Sequence, residues 1–336
     1  MRRIYCIALC FFMVFSGCGR SKTQGQESKY NRALIYRDRV ILSIDSYHAG
    51  YSWSDGITRG VQETLKDTGI DLRIHRMDTK RNTSEEFRRQ AAIRAKTLIE
   101  KIKPDIVLVS DDNAFNYLVR EYYKDAELPI VYCGLNWDSS VYGAPYKNTT
   151  GMIEISMAEQ VIKILQEYAS GNRVGFISGD TTAERKNMEY YKQKLQLHLD
   201  KEYWPTNLAE FKRDFLMLQE EVDIIILQNV IGLAGWNEEQ AAELKVFIEE
   251  NIKIPVGGLY DGTRDYCLIQ IEESSFEQGE YMALTALRIL DGKKPAEIPE
   301  VSNTKGDLAL NLRLADRLNI VFSPLLLRNA VIVVGE

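Results

Sequence analysis

Strand-like and helix-like patterns alternate along most of the chain. VILSID (40–45) is a short, almost continuously apolar run. In the segment after it, Ile57, Val61 and Leu65 recur at helical spacing and lie on one face of a predicted helix. Strands that are apolar on both faces and alternate with helices predict parallel sheets covered by helices on both sides. Further runs that read as strands stand at 70–77, 104–110, 128–135, 173–178, 223–228 and 253–260.

The alternation restarts after Gly151, which divides the chain into two units of similar size. A last long helix follows at 275–290, and its simplest placement returns it to the first unit. We therefore predict an α/β fold of two Rossmann-like lobes with parallel sheets, joined by a multi-stranded hinge that would let the lobes close on a ligand. The predicted N-terminal lobe comprises 38–150 and 271–298, and the C-terminal lobe comprises 151–270 and 299–336.

The N-terminus reads as an export signal. Arg2 and Arg3 precede an apolar run at 4–15, which is shorter than the ~20 residues of a membrane span. The run ends in Ser-Gly-Cys and resembles a bacterial lipoprotein box, so residues 1–17 are predicted as signal peptide and Cys18 as the lipidated N-terminus. An ordinary signal peptide cleaved nearby is the alternative. Polar residues follow, and 18–37 are predicted to be a flexible tether.

The composition and net charge of the chain indicate a globular protein and argue against one class of partner. The chain is 45% hydrophobic and 27% charged, as in globular proteins, and its net charge is −6. An acidic protein is a poor binder of nucleic acid.

Outside the predicted signal peptide and tether the chain has two cysteines, Cys133 and Cys267, and both lie in apolar runs. Buried free thiols are favoured, although an exported compartment would permit a disulfide.

Polar and aromatic side chains follow the predicted strands, where ligands bind in open parallel sheets. Aromatic rings offer a stacking surface, and carboxylates hold an amino group through charge-assisted hydrogen bonds. A helix N-terminus could receive a carboxylate. An amino acid, preferably an aromatic one, combines these three properties. The candidate ligand-binding residues are Ser46, Tyr47, Tyr51, Trp53, Asp111, Asp112, Asn136, Trp137, Asp138, Asp180, Thr181, Asn229, Tyr260 and Asp261.

Several of these candidates, and the neighbouring Asp55, also have a structural interpretation that the sequence leaves open. The aromatic rings could pack their loop against the lobe, and the polar residues could cap helices or form turns. The residues with such an alternative are Tyr47, Tyr51, Trp53, Asp55, Asp112, Asp138 and Thr181.

Catalytic motifs do not stand out. The sequence has no Gly-x-Ser-x-Gly elbow, no phosphate-binding P-loop and no His-Glu-x-x-His. His48, His75 and His198 are scattered, so no metal cluster is indicated. We expect no enzyme activity, no cofactor and no metal.

Three segments resemble a known family. LPIVYCGLNWDSSVYGAPYKNTTGM (128–152) is similar to the end of the first lobe in ABC-type substrate-binding proteins, and 275–299 with 311–333 resembles their C-terminal signature. The branch in question contains exported lipoproteins, among them binding proteins for tryptophan and related aromatic amino acids. The resemblance implies the type I periplasmic-binding-protein fold. Asn319 replaces the usual glycine of the tail motif, but asparagine tolerates the same left-handed backbone.

The resemblance implies a lipid-anchored monomer outside the cytoplasm that captures a small molecule for a membrane permease and its ATPase. The segment 43–61 looks more like a subset of these domains found in bacterial signalling proteins. A ligand-sensing subunit that reports to a histidine kinase is therefore the alternative function. A lipid-anchored scaffold with a degenerate cleft is a third.

Overall fold

The computed structural model describes residues 35–335, and the first sheet has six parallel strands. They are β1 (Val40–Asp45), β2 (Asp71–Arg76), β3 (Ile106–Ser110), β4 (Ile130–Asn136), β5 (Thr149–Glu154) and β11 (Val301–Ser302). Their order is β11–β5–β4–β3–β1–β2. Asp45 aligns with Ser110, and Ser110 with Cys133, so the carboxyl ends of the central strands meet at one edge.

Helices cover both faces of this sheet. Leu42 and Ile44 of β1 pack with Ala91 on one face, while Ile41 packs with Ile57 on the other. This alternation explains why the strand is apolar at nearly every position. The helices are α1 (Ser52–Leu65), α2 (Glu85–Ile102), α3 (Asp111–Ala114), which continues as a π-helical segment (Phe115–Tyr123), and α8 (Ser275–Leu290).

The second sheet has seven strands. They are β6 (Val174–Ile177), β7 (Lys201–Tyr203), β8 (Ile224–Leu227), β9 (Val256–Gly258), β10 (Ile269–Glu273), β12 (Gly306–Asn311) and β13 (Ile332–Val334), in the order β13–β12–β10–β9–β8–β6–β7. The pairing of β10 with β12 is antiparallel, so this sheet is mixed rather than purely parallel. Its helices are α4 (Ala158–Leu165), α5 (Thr182–Lys194), α6 (Leu208–Glu221), α7 (Glu238–Asn251), α9 (Leu312–Arg317) and α10 (Pro324–Asn329).

The late helix α8 packs on the first lobe, as predicted. Glycines allow it to lie directly against α1: a Cβ added at Gly279 would stand 2.0 Å from the carbonyl oxygen of Ile57. A Cβ added at Gly60 would stand 2.4 Å from the carbonyl oxygen of Phe276. The two helices are thus in backbone contact although more than 200 residues separate them in the chain.

Within the described residues, the chain crosses between the lobes after Glu154, after Glu273 and after Ser302. The predicted multi-stranded hinge is therefore present. Each crossing lies a few residues beyond the boundaries expected at 150, 270 and 298, because the strands that lead into the hinge continue past them. At the hinge, the side chain of Asn303 accepts from the backbone N–H of Ile155 (2.7 Å) and donates to its carbonyl oxygen (2.9 Å).

The structure confirms the predictions for Asn319 and for the two cysteines and corrects the end of the predicted tether. Asn319 has the expected left-handed backbone (φ 54°), and Cys133 and Cys267 are buried free thiols, as predicted. Tyr36 is buried and its hydroxyl bonds to Asp291, so packed structure begins before residue 38, within the predicted tether. The predicted signal (1–17), Cys18 and tether residues up to 34 lie outside the described residues. The helices described in 35–335 include none with the length and apolarity needed to span a membrane.

Candidate functional site

A cavity of about 540 Å³ lies where the two lobes and the hinge meet. Loops after the strands of the first lobe form one side, and the hinge strands β5, β10 and β12 form the floor. Leu259 and Tyr260 of the second lobe face them. Six of the predicted residues line it, namely Tyr47, Tyr51, Trp53, Asp111, Asn136 and Tyr260.

Aromatic rings form one wall of this cavity. Tyr47 and Tyr51 meet edge to face with ring centroids 5.5 Å apart. The Nζ atom of Lys80 lies 5.1 Å from the ring centroid of Tyr47 and 4.8 Å from that of Tyr51, at cation–π distance. The wall therefore holds a cation against aromatic rings within the protein itself, and Lys80 is a lining residue that the sequence analysis missed.

Asp111 is the most unusual polar residue of the site. It is only 3% exposed, its backbone is left-handed (φ 69°), and its Oδ1 accepts a 2.8 Å hydrogen bond from Nε1 of Trp53. Its Oδ2 is buried and has no hydrogen-bond partner among the described residues. Burial raises the pKa of Asp111 well above its ordinary value, and the nearby charge of Asp45 adds to the effect.

The hinge supplies further carboxylates that the sequence analysis missed. Glu154 ends β5 and Glu273 ends β10, and both line the cavity with Glu272 and Asp307. Burial raises the pKa of Glu273 to about 7. Burial and then the charge of Glu273 raise the pKa of Glu154 well above its ordinary value. The floor of the cavity is thus a set of acidic side chains whose charged forms would repel one another.

A smaller cavity of about 220 Å³ adjoins the first, since both are lined by Asn136, Glu154, Leu259, Tyr260 and Glu273. Its other side belongs to the second lobe, where Glu184 accepts hydrogen bonds from Asn229 (2.9 Å) and Asn187 (3.2 Å). The hydroxyl of Tyr191 donates to Gln228 (2.7 Å).

Trp137 lines the smaller cavity and joins the two lobes. It follows β4 of the first lobe, yet its ring stacks on Tyr190 of α5 at 5.2 Å and meets Tyr191 edge to face. The next residue, Asp138, accepts a 2.6 Å hydrogen bond from Nζ of Lys194, also on α5. Asp138 therefore forms an ion pair between the lobes and does not line either cavity.

Five more predicted residues do not line either cavity, and their polar atoms are engaged in local hydrogen bonds. Ser46 donates to the carbonyl oxygen of Ser110 (2.6 Å), Asp112 accepts from Asn136 (2.6 Å), and Asp180 is paired with Arg185 (2.8 Å). Thr181 caps α5 by accepting from the N–H of Glu184 (3.2 Å), and Asn229 donates to Glu184. Asp261 begins a short 3₁₀ segment (Asp261–Tyr266).

Solute receptors enclose a ligand in a cavity of this kind, which lies at the carboxyl ends of two sheets and has a hinge of several strands as its floor. The family described as ABC transporter substrate binding protein matches residues 52–334, which is most of the chain. The chain belongs to this family. ABC transporter substrate-binding proteins work outside the cytoplasm, bind small molecules and serve a membrane transporter. A comparison with curated proteins finds no match.

Solved structures show the same fold at low sequence identity. A substrate-binding protein with adhesive properties from Clostridium difficile, in its ligand-free open form, is 14% identical with a TM-score of 0.67, and the match covers 89% of this chain and 100% of that one. An ABC domain from Streptococcus pneumonia in complex with L-Trp is 16% identical with a TM-score of 0.51, covering 88% and 99%. A solute-binding protein from Bradyrhizobium sp. BTAi1 with bound bis-tris is 15% identical, with a TM-score of 0.54 and coverage of 84% and 88%. These neighbours establish the type I periplasmic binding fold.

Proposed function

We propose that this substrate-binding protein captures an amino acid or an amino-acid-like solute, an aromatic one included, and presents it to the permease and ATPase of an ABC importer. The observation that carries the proposal is the carboxylate of Asp111, buried beside aromatic rings with one oxygen unpartnered. Such an oxygen is matched by an amino group. The fold neighbour that binds L-Trp supports the same class of solute.

The contacts proposed for the solute come from three parts of the cavity. Tyr47, Tyr51 and Trp53 offer ring faces, Asp111 and Asn136 offer polar atoms, and Tyr260 covers the solute from the second lobe. Closure of the lobes would exclude water and strengthen the contact between an ammonium group and Asp111. No step in this account changes a covalent bond, so the protein is proposed to act as a receptor without catalysis.

A lipid on Cys18 is proposed to hold the protein at the membrane surface, through the tether that precedes residue 35. The test is metabolic labelling with a radioactive fatty acid. The protein should be labelled, and a Cys18→Ser variant should lack the label and be released from the membrane fraction. Labelling of both proteins, or of neither, would remove the anchor from the proposal.

Ligand capture is tested by melting. Purified protein is unfolded and refolded to remove bound solute, and its melting temperature is then scanned against amino acids and small metabolites. A solute at ~100 times its Kd stabilises the protein by ~2.7 kcal/mol, which raises the melting temperature by roughly 5–10 °C. Asp111→Asn should lose this response, while Asp180→Asn, which lies outside the cavities, should keep it. No response across the panel would contradict the proposal.

A further inference from the structure

The wall of the larger cavity has more acidic than basic side chains. Six carboxylic side chains line it, and only Arg59 and Lys80 oppose them among the described residues. Asp55 forms a 3.4 Å ion pair with Arg76, which is not one of the residues that line the cavity. The other five carboxylic groups include the whole polar floor at the hinge.

The two cations already have partners in the wall. The ammonium of Lys80 lies over the rings of Tyr47 and Tyr51. The guanidinium of Arg59 lies 6.0 Å from the ring centroid of Phe276, and its charge lowers the pKa of Asp307 against the stronger effect of burial. A zwitterionic solute that paired its carboxylate with one of these side-chain cations would draw that cation away from its present contacts.

Asp111 provides the independent sign of a ligand. Asp111 is only 3% exposed, lines the cavity, and leaves its Oδ2 without a hydrogen-bond partner in residues 35–335. A buried acceptor without a donor is costly, and a buried carboxylate more so. A positively charged N–H group of the solute would supply both the missing hydrogen-bond donor and a charge opposite to that of the carboxylate.

The groups around the floor favour the same kind of solute. Burial is the largest cause that raises the pKa of Asp111, Glu154 and Glu273, and the charges of nearby acidic groups raise these pKa values further. The hydrogen bond from Trp53 and the charge of Lys80 lower the pKa of Asp111, and backbone hydrogen bonds lower that of Glu273. A cation placed among these groups would relieve their repulsion and favour their charged forms.

We propose that the solute carries a net positive charge: it is an organic ammonium whose charged nitrogen lies against Oδ2 of Asp111, and it lacks the carboxylate of a neutral amino acid or balances it with a second basic group. This inference rests on the proposed function and narrows it. A neutral zwitterion or a sugar would bring no net positive charge to the acidic groups of the floor. An anion would add to the repulsion.

The test uses solutes that share a ring and differ in charge. Purified, solute-free protein is titrated calorimetrically with tryptamine, tryptophan and indole-3-acetate, and in parallel with tyramine, tyrosine and 4-hydroxyphenylacetate. Agmatine and arginine form a third set. In any set that binds, we expect the amine to have a Kd at least tenfold lower than that of a neutral zwitterion, with no binding of the carboxylate. Agmatine and arginine both carry a net positive charge, so binding of either one would be binding of a cation.

Asp111→Asn keeps an acceptor for Trp53 and tolerates the left-handed backbone, so it removes the charge with little other change. It should weaken binding of the amine at least tenfold and spare the folded state, as judged by its melting temperature without solute. Asp180→Asn is the matched control and should leave the Kd unchanged. Equal losses in the two variants would overturn the proposal.

The remaining outcomes separate this inference from the proposed function. If tryptophan or tyrosine binds as tightly as its amine, the receptor stands and the requirement for net charge is overturned. If these sets do not bind, the wider melting panel decides: a cationic hit supports the inference, and a neutral or anionic hit overturns it. If no solute of any charge stabilises the protein, the receptor function itself fails.

Discussion

The indole Nε1 of Trp53 donates a 2.8 Å hydrogen bond to Oδ1 of Asp111, while Oδ2 of the same carboxylate has no partner among the described residues. The bond joins the start of α1 to the start of α3, so it fixes the carboxylate at the point where two strands of the first lobe end. An aromatic ring and a half-satisfied carboxylate are thus held together before any solute arrives. The predictions below test the groups around this pair and the architecture that positions them.

Glu273 should make stability depend on pH. Its pKa is raised from 4.5 to about 7, chiefly by burial, and the acidic groups of Glu272 and Glu154 and the hydroxyl of Tyr191 are nearby. Between these two values the folded protein holds a proton that the unfolded chain has lost, so stability falls as pH rises, by at most ~1.4 kcal/mol per pH unit. Urea unfolding from pH 4.5 to 7.5 should show a shallower fall for Glu273→Gln than for wild type. Parallel curves would refute this.

Lys80→Met should tighten the binding of a cationic solute. The substitution removes one of the two positive charges in the wall and leaves the rings of Tyr47 and Tyr51 available to the solute. We expect the Kd of the best amine to fall about threefold or more, as measured by calorimetry at low salt, because screening weakens exposed charges. Lys186→Met, which removes a lysine from the face of Tyr190, is the matched control and should have no effect. Weaker binding by the Lys80 variant would contradict the cation inference.

Gly279→Ala should destabilise the protein, because α8 has no room for a methyl group against the Ile57 carbonyl of α1. Overpacking of this kind costs ~1–3 kcal/mol. Leu284→Ala changes an exposed position of the same helix (49% exposed) and should stay within ~0.5 kcal/mol of wild type. The measurement is the midpoint of urea unfolding for the three proteins. Equal midpoints for the two variants would show that α8 is not in backbone contact with α1.

Trp137 and Asp138 both reach from the first lobe to α5, and their contributions should differ. Trp137 is 8% exposed and stacks on Tyr190, so Trp137→Ala should cost ~3–5 kcal/mol. The ion pair between Asp138 and Lys194 is partly exposed to solvent, so Asp138→Asn should cost less than ~1 kcal/mol. Urea unfolding measures both values. Similar losses would mean that the ring contact between the lobes is not formed in solution.

Much of the fold could be predicted because strands buried on both faces carry an unmistakable pattern. VILSID, IVLVS and IIIL are apolar at nearly every position, and each is a strand that is followed by a helix. Some elements were missed, β7 and α6 among them. The strand β7 has three residues at a sheet edge, too few for a pattern, whereas α6 showed a helical period in Leu208, Phe211, Phe215 and Leu218 that was overlooked.

The site was predictable only in part. The rule that ligands bind after strand ends indicated Tyr47, Trp53, Asp111 and Asn136, and the same rule applied to the hinge strands would have indicated Glu154 and Glu273. It could not separate cavity residues from Asp180 or Thr181, because a strand end fixes an edge of the sheet and leaves side-chain direction undetermined. Arg185 and the N-terminus of α5 engage these two side chains locally.

A crystal structure of the protein with the solute that raises its melting temperature most is the most direct test of the central claim, that a small solute binds between the lobes. The account predicts electron density in the cavity, with a nitrogen atom ~3 Å from Oδ2 of Asp111 and a ring or chain against Tyr47 and Tyr51. Density outside the cavity, or a cavity solute that leaves Oδ2 of Asp111 without a donor, would contradict it.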